Sequence, residues 1–169
     1  MLLPINLHNW INENRHLLVP PISNKTIYIE NQDFIVMIVG GPNSRKDYHY
    51  NEGEELFFQI EGDIVLKIIE DGVFKDISIK EGEMFLLPSK IPHCPTRPSN
   101  TIGLVIERYR KEKELDGVKW YCEKCNSLLY EEYFSLINIV NQLPIVMEKF
   151  YSSKSLRTCS NCNSVMSPP

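Results

Sequence analysis

Short apolar segments separated by turn residues fill the middle of the chain, from Thr26 to Tyr109, and they limit the fold most strongly. The segments are rich in β-branched and aromatic residues, and glycine, aspartate, asparagine or proline separates most of them. Many short strands at close spacing are typical of a β-sandwich or a small barrel. The pattern predicts strands at residues 26–30, 33–39, 56–60, 64–69, 73–79, 84–87 and 101–109.

A short amphipathic helix is predicted before the strand region. Apolar residues recur at helical spacing between Leu7 and Leu18, Asn6 is a suitable N-cap, and Pro20-Pro21 ends the pattern.

A separate C-terminal segment is predicted after the strand region. Residues 110–118 are polar and suggest a linker, and residues 136–143 and 146–151 have a helical pattern with Pro144 near a start or a kink. We therefore expect a barrel with its N-terminal helix at residues 1–110 and a small extension at residues 111–169.

Composition excludes several classes of protein. An apolar fraction of 43% supports a real core, and a net charge of −4 gives no reason to expect nucleic-acid binding. No apolar run has the length of a membrane span, and the first residues lack the pattern of a secretory signal. We expect a cytoplasmic protein with neither a nucleic-acid nor a membrane partner.

Four of the five cysteines form two Cys-x-x-Cys pairs, Cys122 with Cys125 and Cys159 with Cys162, and Cys94 is left over. Two such pairs are typical of a closed tetrahedral site with four sulfur ligands, which suits zinc or iron in a structural role. A redox-active dithiol is the alternative.

His49, Glu55 and His93 form a second candidate metal site. Two imidazoles and one carboxylate can hold a non-haem Fe(II) on one face and leave other positions open. A lone histidine is more often a packed or surface residue, so the case depends on the three residues together. Glu52, Glu54 and Glu61 are rival carboxylates; strand alternation turns Glu54 away from the side that Glu55 faces, and the other two lie in turns.

The spacing around these residues resembles the two motifs of cupin barrels. Gly62 follows Glu55, and Gly82 and Pro88 precede His93. The first cupin motif usually has two histidines two residues apart, but the residues two positions from His49 are Asp47 and Asn51. Lys90 stands where the second motif usually has glycine. A site with three protein ligands remains, in a cupin or jelly-roll barrel with a rubredoxin-like tail.

A more specific resemblance covers nearly the whole chain. Met37 to His49 resembles a signature of the 3-hydroxyanthranilate 3,4-dioxygenase family, in the form that carries a four-cysteine tail. The same resemblance extends to Glu54-Glu55, Phe57-Phe58-Gln59, Leu86-Leu87-Pro88, Pro92-His93, Arg97-Pro98, Val105-Ile106-Glu107-Arg108, Trp120-Tyr121-Cys122 and the second cysteine pair.

The resemblance implies an Fe(II)-dependent enzyme that opens the ring of 3-hydroxyanthranilate with O2. The product, 2-amino-3-carboxymuconate semialdehyde, closes to quinolinate, a precursor of NAD in the kynurenine pathway. Carried over by position, His49, Glu55 and His93 are iron ligands, and Arg45, Arg97 and Glu107 line the pocket beside Glu55. Members of the family are commonly homodimers.

These roles agree with the chemistry of the side chains. Arg97 can hold the substrate carboxylate with two parallel hydrogen bonds. Glu107 can accept the hydroxyl proton, and Arg45 can stabilise charge developing on oxygen. The simpler alternative is that Arg45 and Arg97 pair with acids such as Asp47, and that Glu107 pairs with Arg108 or Arg110.

Two positions depart from the family pattern near the predicted pocket, Leu56 and Cys94. They are expected to affect packing or sensitivity to oxidation, and a thiolate at Cys94 would be able to bind stray metal. Alternative functions are a cupin dioxygenase for another aminophenol or a catechol, and a cupin or zinc-ribbon protein that binds metal without catalysis.

Overall fold

The computed structural model describes residues 3–20, 23–28, 33–136 and 139–169, except for the side chains of residues 139–141. Its helices are α1 (Leu7–Asn14), α2 (Ile139–Ser152) and α3 (Lys154–Arg157), and a single 3-10 turn, Arg15–Leu17, follows α1. Its strands are β1 (Asn24–Thr26), β2 (Phe34–Gly40), β3 (Tyr48–Tyr50), β4 (Glu55–Glu61), β5 (Ile64–Glu70), β6 (Val73–Ile79), β7 (Met84–Leu87), β8 (His93–Thr96), β9 (Ile102–Arg108), β10 (Asp116–Tyr121) and β11 (Leu128–Phe134).

Two antiparallel sheets form the body of the protein. The first has the order β1-β2-β9-β4-β7, and the second has the order β11-β10-β3-β8-β5-β6. Side chains from both sheets alternate inward and pack into one core, which includes Met37, Phe57, Leu66, Ile68 and Val105. This arrangement confirms the predicted mainly β barrel of the jelly-roll type.

The N-terminal helix packs on the outside of the first sheet. The Asn6 side chain accepts a hydrogen bond from the Asn9 amide at 3.0 Å, which confirms the predicted cap. Ile11 and Leu18 are buried against Ile38 and Ile102. At Gly40, a side-chain Cβ would lie only 2.0 Å from the Leu18 carbonyl oxygen, so glycine allows this close approach.

Several strands lie where the sequence pattern did not predict them. β3, β8, β10 and β11 are additional strands, and β10 begins inside the segment expected to be a linker. The first predicted strand is displaced: β1 ends at Thr26, and residues 29 and 30 lie outside the described part. β3 and β8 have only three and four residues, so their own composition gives little signal and tertiary pairing selects them.

The C-terminal helix is continuous through Pro144, so the predicted helical regions form one helix over Ile139–Ser152. Residues 137 and 138 of the prediction lie outside the described part. Leu143, Val146 and Phe150 recur at helical spacing and are buried against β10, and this packing holds the helix together across the proline.

The core under this helix is centred on Trp120, whose ring stacks on Phe150 with centroids 4.3 Å apart. We expect Phe150→Ala to lower the free energy of unfolding by roughly 3–5 kcal/mol, because a fully buried aromatic ring is lost and a cavity remains. Urea denaturation of the metal-loaded protein measures this. The control is Ile145→Ala on the same helix, where the side chain is 69% exposed and the change should stay within about 0.5 kcal/mol. Equal losses in the two variants would contradict this view of the core.

Candidate metal centre and active-site pocket

Two paired strands of the second sheet and one strand of the first sheet bring the predicted ligands together. His49 on β3 lies directly opposite His93 on β8, and Glu55 is the first residue of β4. Glu55 Oε1 lies 3.6 Å from His49 Nδ1 and 3.3 Å from His93 Nε2. One ligand atom from each residue falls within 4.8 Å of the other two. The sequence prediction placed the same three residues together, and their donor atoms fit a divalent ion such as Fe(II).

Each of the three side chains is held by a second group. The Asp116 carboxylate lies 2.7 Å from His49 Nε2, and the Ile91 carbonyl lies 3.0 Å from His93 Nδ1. Asn51 Nδ2 donates to Glu55 Oε1 at 2.5 Å. Such partners fix the orientation of a metal ligand and direct its remaining donor atom. Here the remaining donors, His49 Nδ1 and His93 Nε2, both face Glu55.

The electrostatics of the cluster favour ionised groups although the cluster is buried. Burial disfavours the carboxylate of Glu55, but the charges and hydrogen bonds of His93 and His49 outweigh it and lower the pKa of Glu55. Burial likewise disfavours a charged His49, yet hydrogen bonds to Asp116 and Glu55 raise the pKa of His49 to about 9. Both shifts show that the carboxylates of Glu55 and Asp116 stabilise positive charge in this cluster.

A cavity of about 440 Å³ opens beside these residues and is lined by His49, Glu55, His93, Arg97 and Glu107. This is the size range of a pocket for a small organic ligand. Apolar side chains of β2, β4 and β9 and of helix α2 complete its wall, among them Met37, Phe57, Val105, Leu143 and Met147.

Arg97 is the unusual charge in this cavity. It is 3% exposed. Among the described residues, Gln59 Oε1 accepts a hydrogen bond from Arg97 Nη1 at 3.2 Å, and Arg97 Nε has no hydrogen-bond partner. Burial lowers the pKa of Arg97 to about 10. Gly103 makes room for the guanidinium, because a Cβ there would lie 2.8 Å from Arg97 Nη1. A buried cation without a carboxylate partner is costly, so the site is suited to an anion.

The other two predicted pocket residues already have partners. Arg45 pairs with the buried carboxylate of Asp47 through Nε, at 3.0 Å, and through Nη2. Glu107 Oε2 accepts a hydrogen bond from Arg110 Nη1 at 2.6 Å. The simpler pairings anticipated for these two residues are therefore present, and both residues still line the cavity.

The rival acids lie outside the cluster. Glu54 is exposed, Glu52 lies 3.5 Å from Lys90 Nζ, and Glu61 pairs with Arg15 at the surface. Their absence from the metal-ligand group agrees with the choice of Glu55.

Neither Leu56 nor Cys94 is among the described residues that line the cavity. Leu56 alternates with the buried Glu55 and Phe57 and so faces outward from β4. Cys94 is buried, and its thiol donates to the Arg45 carbonyl at 3.3 Å. Burial and the charge of Asp47 raise the pKa of Cys94 to about 12, so the expected thiolate does not form near neutral pH.

The four remaining cysteines form a second cluster. Cys122 Sγ lies 3.5 Å from Cys162 Sγ, and Cys125 Sγ lies 3.5 Å from Cys159 Sγ. All four sulfur atoms are within 4.8 Å of one another. Hydrogen bonds from Ser127 lower the pKa of Cys125 to about 5, which favours the thiolate that a metal needs.

The two cysteine turns have the same local structure. Asn126 and Asn163 follow the second cysteine of each pair, have positive φ angles of 59° and 57°, and donate to the carbonyls of Cys122 and Cys159. Asparagine tolerates this left-handed conformation. The repeated sequence Cys-Asn-Ser, at 125–127 and 162–164, could have indicated these paired turns from the sequence.

Sequence reasoning missed four residues that support the pocket, namely Asn51, Gln59, Arg110 and Asp116. Asn51 was noted only as a missing histidine, and Arg110 only as a partner of Glu107. No signal marked Asp116, since an aspartate in a polar segment is normally exposed; it is fully buried.

The family model for 3-hydroxyanthranilic acid dioxygenase matches residues 1–151 of the chain. The chain belongs to this family. A curated relative named 3-hydroxyanthranilate 3,4-dioxygenase, from Xanthomonas euvesicatoria, is 55% identical over 166 residues, which are 98% of this chain and 93% of the relative. A protein of the same name from Neurospora crassa is 46% identical over 159 residues, which are 94% of this chain and 87% of that protein.

A solved structure, protein NMB1881 from Neisseria meningitidis, is similar with a TM-score of 0.50 and 20% identity, and the match covers 63% of this chain and 100% of that one. This likeness supports the fold alone. Within the described residues, no helix is long and apolar enough to cross a membrane.

Proposed function

We propose that the chain catalyses the ring-opening reaction of 3-hydroxyanthranilate with O2 to give 2-amino-3-carboxymuconate semialdehyde, the precursor of quinolinate in NAD biosynthesis. His49, Glu55 and His93 would hold Fe(II), and Arg45, Arg97 and Glu107 would contact the substrate or oxygen. Family membership supports the reaction, and the grouping of the three ligand atoms supports the metal site.

The observation that carries the proposal is the buried Arg97. Its guanidinium lines the same cavity as the three ligands and has no carboxylate partner among the described residues. A substrate that carries a carboxylate would supply the missing negative charge, and the planar guanidinium can bind it through two hydrogen bonds. This favours 3-hydroxyanthranilate over an aminophenol or catechol without a carboxylate.

The chain's own residues can position the substrate and move its proton. A bound ferrous ion would supply open positions for the ortho hydroxyl and amine of the substrate and for O2. Arg97 would hold the carboxylate on the ring carbon next to the one that bears the amine, so the ring has one orientation. Burial and the charge of Glu55 raise the pKa of Glu107, which makes its carboxylate a better acceptor for the hydroxyl proton. The apolar wall would keep water from the reacting ring.

The second metal is proposed to be structural. Four sulfur ligands close a tetrahedral site and leave no position for a substrate, whether zinc or iron is bound.

We also propose residues 111–169 as a C-terminal extension of a barrel at residues 1–110. The extension's separate apolar core, with Trp120 and Phe150, supports this division. Thiols arranged for metal rather than disulfides support a cytoplasmic location.

A homodimer is proposed through the outer face of the first sheet. On this face Leu56 pairs with Leu86 and Phe58 pairs with Met84, and the side chains of Met84 and Leu86 are 67% and 54% exposed. Contiguous exposed apolar side chains mark interaction surfaces. A two-fold axis would let the same face of a second copy cover them.

Metal analysis of purified variants tests the two metal sites separately. We expect His49→Ala and His93→Ala to lose the ion of the proposed iron site and to keep the metal of the four-cysteine site, since the clusters share no ligand. Cys122→Ser should lose the metal of the four-cysteine site and keep the ion of the proposed iron site. His16→Ala, at an exposed histidine, is the control. Full iron content and activity in either ligand variant would refute the assignment.

Arg97→Lys tests the proposed carboxylate contact. A lysine cannot form the two parallel hydrogen bonds to a carboxylate that arginine can form. The value of kcat/KM for 3-hydroxyanthranilate should therefore fall roughly 10- to 100-fold. The same variant should change kcat/KM for 2-aminophenol, which has no carboxylate, only slightly. Steady-state oxygen uptake measures both, with Arg15→Lys at the surface as the control. Equal losses for the two substrates would argue against a carboxylate at Arg97.

Leu86→Glu tests the proposed dimer surface. A charge placed on each copy would have to be buried in the interface, so the variant should be monomeric at concentrations where the wild type is a dimer. Sedimentation velocity measures the mass. Leu128→Glu places the same charge at a leucine on the other sheet that is 43% exposed, and it should leave the dimer intact. A wild-type protein that is monomeric at these concentrations would contradict the proposed homodimer.

A further inference from the structure

A chain of buried charged groups leads from His49 to Glu107. Asp116 Oδ2 lies 2.7 Å from His49 Nε2. Arg110 binds both oxygens of Asp116, with Nε 2.7 Å from Oδ1 and Nη2 2.5 Å from Oδ2. Its remaining nitrogen, Nη1, donates to Glu107 Oε2 at 2.6 Å. Asp116 and Glu107 are 0% and 4% exposed, so water does not compete strongly for these contacts.

Asn51 closes this chain into a ring. Its Nδ2 donates to Glu107 Oε2 at 3.3 Å and to Glu55 Oε1 at 2.5 Å. Glu55 Oε1 in turn lies 3.6 Å from His49 Nδ1. The ring therefore links two of the proposed ligands to the proposed proton acceptor, and its side chains come from two segments far apart in sequence, residues 49–55 and 107–116.

We propose that Asp116 is a positioning residue for the metal centre: it holds His49 with Nε2–H donated to the carboxylate and with Nδ1 directed at the metal. Arg110 neutralises Asp116 and ties the same unit to Glu107, so the ligand and the proton acceptor keep a fixed relation. The inference rests on the proposed function, because it assumes that His49 binds the metal.

The carboxylate is suited to this task because it can only accept hydrogen bonds. A neutral imidazole has one N–H, so an acceptor at Nε2 leaves Nδ1 unprotonated and able to bind a metal. An amide introduced at position 116 could instead donate to Nε2, which would place the proton on Nδ1, where it blocks the metal. Partners of this type usually change metal affinity by about 10- to 100-fold.

The test is anaerobic calorimetric titration of Fe(II) into protein whose four-cysteine site is already filled with zinc. We expect Asp116→Asn to weaken Fe(II) binding by about tenfold or more. The matched control is Glu114→Gln. Glu114 pairs with Arg108 at 2.6 and 2.7 Å in the same loop but does not contact a ligand, so Fe(II) binding should be unchanged.

The outcomes separate the inference from the proposed function. If the wild type binds Fe(II) and Asp116→Asn binds it equally well, the inference is overturned and the metal site stands. If the wild type binds no Fe(II) at this site, the inference about Asp116 and the proposed metal site are both wrong. Equal weakening in Glu114→Gln would also overturn the inference, because a general loss of loop structure would then explain the effect.

A measurement on the wild type keeps the inference testable if Asp116→Asn does not fold. In the Co(II)-loaded protein, the His49 Nε2 proton should give a hyperfine-shifted proton resonance that exchanges slowly with solvent, because it is donated to a buried carboxylate. His93 should give a second exchangeable signal from Nδ1, which faces the Ile91 carbonyl. A His49 proton that exchanges rapidly, or that lies on Nδ1, would overturn the inference.

Discussion

The pairing of His49 with His93 across β3 and β8 is the contact on which the rest of the site depends. β3 has only three residues, too few to keep its position without neighbours on both sides. β8 holds one side, and β10 holds the other through pairs such as Val118 with His49. The metal centre therefore needs a strand from the C-terminal region as well as the barrel strands.

The charged side chains of the pocket form two groups: some are paired with one another, and the others are suited to a bound ion or substrate. Glu107, Arg110 and Asp116 satisfy one another within hydrogen-bond distance, and this offsets the cost of burying them. Arg97 and the cluster of Glu55 with two histidines are not balanced in the same way. Arg97 is suited to an anion, and the three ligand atoms of the cluster are suited to a cation. A dication and a carboxylate-bearing substrate meet both needs in one cavity.

The sequence predicted the parts of the fold whose pattern is local. β5 and β6 are rich in β-branched and apolar residues and are bounded by turns that contain glycine, and both lie within one residue of their predicted bounds. β8 contains Pro95 and β10 begins at a charged residue, so neither resembles a strand until its partner is known. The three ligands could be proposed from residue type and spacing. Asp116 could not, because its burial results from the pairing of β10 with β3 and from the guanidinium of Arg110.

Strand β10 also connects the two metal clusters. Asp116 at its start contacts His49, and Cys122 follows its last residue, Tyr121. Between them, Trp120 is fully buried against Phe150 of α2, the helix whose Leu143 and Met147 line the cavity. A metal held by the four sulfur atoms would join the end of β10 to the turn that follows α3. The cysteine cluster can thus hold the pocket wall and the support of His49 in register without touching the substrate, which agrees with a structural role for its metal.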